Sequence, residues 1–284
     1  MILITAAGGT VGSELAKRLA GENVPFRAAY HSDGKAAAAR VNGWQAAVVD
    51  FENAATIRAA LSGVDRLFLV VPATPAMPAQ EAAWVEQARQ AGVKRLVKLS
   101  VWRASEESFT FARWNRQGEK KVESSGIPYT LLRPNSFMQN FVNLFSAGIK
   151  EHGTFWIPAP AARVSHIDVR DVAAAAAVAL TREGHDGRAY DLSGPQALNY
   201  HQLANTLSVV VGRKITCAGV SDLQFKEAML RLGAPEWQPD AVNDLMRYAL
   251  DGQASDVLAS VQEITGRKPT PFEQFVRDYR PFFA

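Results

Sequence analysis

The residues best spaced for chemistry open the chain. Ile2-Leu3-Ile4-Thr5 runs directly into Ala6-Ala7-Gly8-Gly9-Thr10-Val11-Gly12, which reads as an apolar strand, a glycine-rich turn and the first turn of a helix. Such a turn lets backbone N–H groups approach a ligand closely, and the helix start behind it favours negative charge. The chemistry implied is the holding of a pyrophosphate, with Gly8, Gly9, Thr10, Val11 and Gly12 as its contacts. A glycine loop alone also serves as a plain strand-to-helix turn; its position in the first βα unit favours the dinucleotide reading.

The adenosine ribose of a dinucleotide would lie at the end of the second strand, Ala28-Ala29-Tyr30-His31-Ser32. Sites selective for NAD place an acidic residue there to accept from the ribose 2′-hydroxyl. None stands at this strand end, although Asp33 follows, while His31, Ser32 and Lys35 are able to donate to a 2′-phosphate. NADP(H) is therefore expected in preference to NAD(H), which stays open as the second choice. The same three residues read alternatively as solvated loop. Asp50-Phe51, after the third strand, would hold the adenine by hydrogen bond and ring contact, or serve as a helix cap beside a core aromatic.

These residues need a scaffold that gathers strand ends. Apolar, β-rich runs at Met1–Thr5, Phe26–Tyr30, Ala46–Val49, Arg66–Val71, Arg95–Ser100 and Tyr129–Arg133 alternate with helical patterns, and several are too continuously apolar for a strand wetted on one face. Gly21, Gly63, Gly92 and Gly126 stand where the helical patterns stop. The expected fold is α/β, a Rossmann-type doubly wound parallel sheet with its ligand at the carboxyl ends of the strands. Near residue 150 the rhythm breaks into Ile157-Pro158-Ala159-Pro160-Ala161 and longer helices. The expectation is a dinucleotide-binding core over 1–150 and a smaller C-terminal, substrate-binding lobe over 151–284, with Arg188–Leu192 as a strand able to rejoin the core sheet.

Composition narrows the class. The 284 residues are 48% hydrophobic and 21% charged, which excludes a disordered or coiled-coil chain. Lys and Arg total 31 against 28 Asp and Glu, a net +3 without a basic cluster, so nucleic acid is not expected as a partner. The single cysteine, Cys217, has no companion for a disulfide or a CxxC site. The N-terminus lacks the charged start and apolar length of a signal peptide, and no run reaches the ~20 apolar residues of a membrane span. A cytoplasmic protein without membrane contact is expected, as monomer or homodimer.

Longer motifs carry a family resemblance. The segments are Ile2 to Gly12; Asp50-Phe51 with Ala60-Leu61-Ser62-Gly63-Val64-Asp65; Leu99-Ser100; Ser125 to Asn140, which contains Tyr129-Thr130-Leu131-Leu132-Arg133-Pro134-Asn135; and Ile167-Asp168-Val169-Arg170-Asp171-Val172-Ala173. Through nearly its whole length the chain resembles the NmrA-like group of atypical short-chain dehydrogenases/reductases, which includes bacterial quinone and triphenylmethane-dye reductases and fungal ergot-alkaloid imine reductases. The resemblance implies NAD(P)H lying across the strand ends, over Val71, Pro72, Ser100, Pro134 and Asn135, with a substrate cleft between the lobes. Ala6 departs from the group's pattern by filling its first glycine position, and His31 stands where NADPH-binding relatives often have arginine.

The catalytic positions depart further. Short-chain dehydrogenases use a Tyr-x-x-x-Lys pair on the helix before the sixth strand, and the corresponding residues here are Asn115 and Glu119. Quinones, dyes and imines already accept hydride readily, so positioning in a dry cleft can replace a strong acid. Ser100 and Asn115 are then expected to hydrogen-bond a small aromatic or cyclic acceptor, and Glu119 to relay a proton or orient its neighbours. Phe137, Met138, Phe141, Trp102, Phe109, Phe111 and Trp114 are candidates for an apolar wall, or for core. His166 and Asp168 lack supporting ligands, so no metal is expected. The expected function is an NAD(P)H-dependent reductase; the alternative is a non-catalytic dinucleotide-binding redox sensor acting through a protein partner.

Overall fold

The computed structural model describes residues 1–284. Six strands form at the apolar runs, β1 (Ile2–Ile4), β2 (Phe26–Tyr30), β3 (Gln45–Val48), β4 (Arg66–Leu69), β5 (Arg95–Leu99) and β6 (Tyr129–Pro134), and the expected later strand forms as β8 (Arg188–Leu192); β7 (Thr154–Ile157) and β9 (Thr216–Gly219) are strands that the sequence does not announce. Helices alternate with them as α1 (Thr10–Gly21), α2 (Asp33–Val41), α3 (Ala54–Leu61), α4 (Met77–Gln90), α5 (Thr110–Glu123), α6 (Ser146–His152), α7 (Val169–Thr181), α8 (Tyr200–Val211), α9 (Asp222–Arg231), α10 (Trp237–Leu250), α11 (Ser260–Thr265) and α12 (Phe272–Asp278).

Seven strands make one parallel sheet in the order β3-β2-β1-β4-β5-β6-β8. The order reverses at β1, and that switch places the first glycine-rich turn at the crevice above the strand ends. Both faces of the sheet are covered, which is why its strands read as unbroken apolar runs. One face packs Ile2, Ile4, Phe68 and Val97 under α1 and the alanine-rich α7; the other packs Leu3, Leu67, Leu69 and Leu96 under α3 and α4. Alanine along α7 lets that helix lie close beside α1.

After residue 150 the chain contributes to both layers of the molecule. Helix α7 lies in the main core and β8 pairs with β6, while β7 and β9 form a separate two-stranded parallel sheet. A second core of aromatic and aliphatic residues, centred on Phe141, Phe155, Tyr200 and Phe275, joins that small sheet to α8, α10 and α12. Gly63, Gly92 and Gly126 end their helices with positive φ, as expected, but Gly21 does not: it is the last residue of α1, and Asn23 takes the left-handed position at φ 56°. No helix is long and apolar enough to cross a membrane.

Candidate active site

The carboxyl ends of β4, β5 and β6 open into a cavity of about 250 Å³. Val70 and Val71, then Leu99 to Trp102, then Pro134 to Phe137 supply one side; Leu245, Met246 and Ala249 of α10 face them. Three of the expected aromatic residues, Trp102, Phe111 and Phe137, line it. Met138 and Phe141 belong instead to the C-terminal core, Phe109 packs on Tyr248, and Trp114 lies between Phe111 and Trp237. The α10 wall was not foreseen, because helical periodicity marks an apolar face without saying what that face covers.

The nucleotide side follows from the first turn. Helix α1 starts at Gly9 with no side-chain cap and no acidic residue in its first turn, so its first N–H groups are open to an anion. A Cβ on Gly8 would lie 3.3 Å from Lys35 Cδ and 3.6 Å from Lys35 Nζ, so the lysine is folded over the loop. His31 and Ser32 are exposed at the end of β2, and Ser32 begins α2 without spending its hydroxyl as a cap. These donors and the uncapped helix fit a dinucleotide carrying a 2′-phosphate. Thr10 is exposed and Val11 buried. Ala6 takes φ 46°, a left-handed conformation that its methyl group makes costly, and its carbonyl accepts from Gly9 N at 2.8 Å.

Gly12 acts differently from its neighbours: it is buried, and a Cβ there would meet the Ala6 carbonyl oxygen at 2.5 Å. Its bare Cα lets α1 close on the loop's own backbone. Asp50 is exposed and accepts from Glu52 N at 2.9 Å. Phe51 is half-buried and packs 5.6 Å from Trp84. Of the strand-end positions, Val71, Ser100, Pro134 and Asn135 line the cavity, whereas Pro72 is exposed and not part of its lining. Asn135 spends its amide on Ser165 Oγ and Ala254 O, both 2.9 Å away, and so ties β6 to two C-terminal loops.

The three proposed catalytic side chains are all buried on the β5 and α5 side of the cavity. Ser100 Oγ donates to Glu119 Oε1 at 2.6 Å, and Arg133 Nε and Nη2 donate to the two Glu119 oxygens at 2.8 Å each. Arg116 adds a contact of 3.1 Å. Burial pushes the Glu119 carboxyl up, but the Arg133 fork, the Ser100 hydroxyl and the nearby positive charge outweigh it and hold the group below its ordinary value. Glu119 is therefore ionised and fully partnered. Of its two expected roles the geometry favours orienting Ser100 and Arg133 over relaying a proton, and the Arg133 guanidinium, bound to Glu119, does not line the cavity as Pro134 and Asn135 do.

Asn115 is held by two groups: its Oδ1 accepts from Lys98 Nζ at 2.8 Å and its Nδ2 donates to Phe111 O at 3.0 Å. Lys98 is wholly buried and also lies 2.8 Å from Glu81 Oε1, itself wholly buried. Sequence reasoning passed over this pair. A signal was present: Lys98 interrupts the apolar strand Arg95–Leu99, and Glu81 lies one helical turn before Trp84 and Val85 on the buried face of α4. Gly118 on α5 leaves the space that the Glu81 carboxylate fills.

His166 and Asp168 serve structure. Asp168 caps α7 through Arg170 N at 2.8 Å and pairs with the Arg170 guanidinium, and no three His, Cys, Asp or Glu side chains come together as metal ligands. His166 is enclosed by Phe141 and Tyr200, at 5.8 and 5.5 Å, and burial pulls its pKa down to about 4. Because the folded value lies below the ordinary 6.5, the unfolded chain takes up this proton first, so stability is full above pH 6.5 and falls as the pH drops toward 4. The expected loss over that window is about 3 kcal/mol relative to a His166→Gln variant, read from urea unfolding of both proteins at neutral pH and near the lower end of the window.

Comparison with known proteins places these features in a wider set. Residues 1–274 match the model of the NmrA-like family. The NAD(P)H azoreductase of Xenophilus azovorans is 36% identical over 285 residues, covering 100% of this chain and 99% of the azoreductase. The structure of an NADPH-dependent quinone oxidoreductase from Escherichia coli complexed with NADPH superposes with a TM-score of 0.88 at 28% identity, covering 98% of this chain and 99% of that one. A Citrobacter sp. triphenylmethane reductase complexed with NADP(H) gives 0.86 at 27% identity, with 98% and 99% covered.

Proposed function

The chain belongs to the NmrA-like family, and from that premise we propose that it is an NAD(P)H-dependent reductase of small planar or cyclic electrophiles such as quinones, dyes and imines. The observation that carries the reading is the makeup of the cavity. Its walls are mostly apolar, it sits at the strand ends beside the uncapped glycine turn, and the acidic and basic side chains nearest it are paired with one another behind the wall. No free acid faces the acceptor, which suits substrates that need no strong proton donor to accept hydride.

NADPH, when bound, would supply the hydride. The chain's residues do the rest: Gly8 to Gly12 and Lys35 hold phosphate, His31 and Ser32 face the ribose, and Val71, Pro134 and Asn135 bound the space for the reacting ring. Ser100, whose hydrogen is spent on Glu119, keeps only lone pairs for a ligand N–H or O–H. The apolar residues of α10 and β6 exclude water around a flat acceptor. The azoreductase and the quinone and dye reductases among the relatives support this substrate class.

The direct test follows NADPH absorbance at 340 nm with a panel of quinones, azo dyes, triphenylmethane dyes and cyclic imines. Turnover of at least one class is expected. Tight NADPH binding with no turnover across the panel would overturn the reductase reading in favour of a sensor. Cofactor choice has its own test: His31→Arg, which puts a forked donor at the ribose end, is expected to raise the NADPH to NADH ratio of kcat/KM by roughly tenfold. An unchanged ratio would remove His31 from the ribose site.

A further inference from the structure

One costly feature takes no part in holding the cofactor or bounding the cavity. Lys98 and Glu81 are both 0% exposed, and burying two charges costs several kcal/mol that their attraction recovers only with good geometry. The pair is not fully satisfied. Its 2.8 Å contact is an ion pair without hydrogen-bond alignment, and neither Glu81 oxygen has a directed hydrogen bond. What the lysine does have is a direct line to the cavity: its ammonium lies among Glu81 Oε1, Leu99 O at 3.0 Å and Asn115 Oδ1 at 2.8 Å. Asn115 lines the cavity.

The orientation of the Asn115 amide is fixed from both ends, since the oxygen must face the ammonium and the nitrogen must face the Phe111 carbonyl. One of its two amide hydrogens is then used and the other has no partner in the protein. Among the three polar side chains expected to act on the acceptor, it is the only remaining donor: the Ser100 hydrogen is on Glu119, and the Glu119 oxygens are taken by Ser100, Arg133 and Arg116.

We infer that Asn115 donates its free amide hydrogen to the acceptor atom that gains negative charge, and that Lys98, balanced by Glu81, is the positioning residue that strengthens that donor. A positive charge on Oδ1 draws density from the C–N bond and makes the N–H a better donor, as in other charge-assisted chains. When a quinone takes hydride from NAD(P)H, its oxygen carries the charge of a hydroquinone anion. The amide holds that charge until the hydroquinone anion leaves the cavity and takes its proton from water; two electrons and two protons reach the quinone in all. A neutral amide, polarised but unable to ionise, thus stands where the wider group has a tyrosine. Glu81 keeps the ammonium from leaving a bare buried charge, and Gly118 keeps room for Glu81.

The inference rests on the reductase reading, and two variants separate them. Lys98→Met/Glu81→Leu removes the whole pair and replaces it with apolar side chains, a change that buried pairs often tolerate. Asn115→Asp keeps the size and the lysine contact but has no N–H. With a series of para-benzoquinones of increasing hydroquinone basicity, both variants are expected to lose kcat by on the order of 10- to 100-fold, most for the most basic members. The NADPH dissociation constant and thermal midpoint of the double variant should stay near wild type. Wild-type rates in either variant, or a loss uniform across the series and accompanied by weaker NADPH binding, would overturn the role given to Lys98 and Asn115 while leaving the reductase intact. An inactive wild-type protein overturns both.

Discussion

Gly12→Val is expected to abolish detectable binding of NADPH and NADH alike and to lower stability by about 3 kcal/mol. The cause is a collision inside the protein, before any ligand is considered. A Cβ at position 12 would lie 2.5 Å from the Ala6 oxygen and 3.0 Å from Ala7 Cα, both backbone atoms. Neither can yield cheaply, because Ala6 already sits at φ 46° and its carbonyl is held by Gly9 N at 2.8 Å. Valine adds two further methyl groups to the same conflict, so the loop and the start of α1 must separate. The N–H groups that would meet the pyrophosphate move with them. Gly8→Ala is the control for stability alone, since its Cβ would meet the Lys35 chain at 3.3 Å and the Tyr30 ring at 3.4 Å, and the lysine can swing aside. Guanidinium unfolding and nucleotide fluorescence titration read the two effects separately. A Gly12→Val protein that folds and binds normally would detach this loop from the cofactor.

The contrast between these glycines shows what sequence could and could not tell. The spacing of Gly8, Gly9 and Gly12 predicts a turn that receives phosphate, but all three look alike in a string of letters. Only the approach of α1 to Ala6 distinguishes the packing glycine from the exposed ones. The parallel strands were legible for a related reason: a strand covered on both faces has no polar register to hide it, so β1, β4, β5 and β6 stand out as apolar runs. Strands β7 and β9, Thr154–Ile157 and Thr216–Gly219, are short, and each exists because of a partner about sixty residues away in sequence. Sequence carries no mark of that pairing. The site divides the same way. Pro134 and Asn135 could be placed because they end a legible strand, whereas Leu245 and Met246 reach the cavity only through the way α10 packs across it. Glu119 was found by its position in a motif, and its arginine partner lies on the neighbouring strand, where no periodicity links them.

That arginine gives the second large effect. Arg133→Met is expected to cost about 3–5 kcal/mol at neutral pH, the range for breaking one side of a buried ion pair. Glu119 is 0% exposed and would lose two hydrogen bonds of 2.8 Å, keeping Ser100 and Arg116, whose side chain is 19% exposed, as partners. The pH dependence identifies the cause. In the wild type the Glu119 carboxyl is held below its ordinary value, so the stabilisation it gives is complete at neutral pH and is lost as the pH falls through the folded value. In the variant, burial acts with far less opposition and raises the same pKa, so acid relieves the uncompensated charge by protonating it. The stability gap between the two proteins should therefore narrow as the pH is lowered toward about 4.5. Arg133→Met/Glu119→Leu removes both charges and should recover most of the neutral-pH loss, because the penalty lies in the orphaned carboxylate more than in the missing attraction. Urea unfolding of the three proteins at two pH values distinguishes this account from a simple packing defect. A packing defect would leave the gap independent of pH and the double variant no more stable than the single.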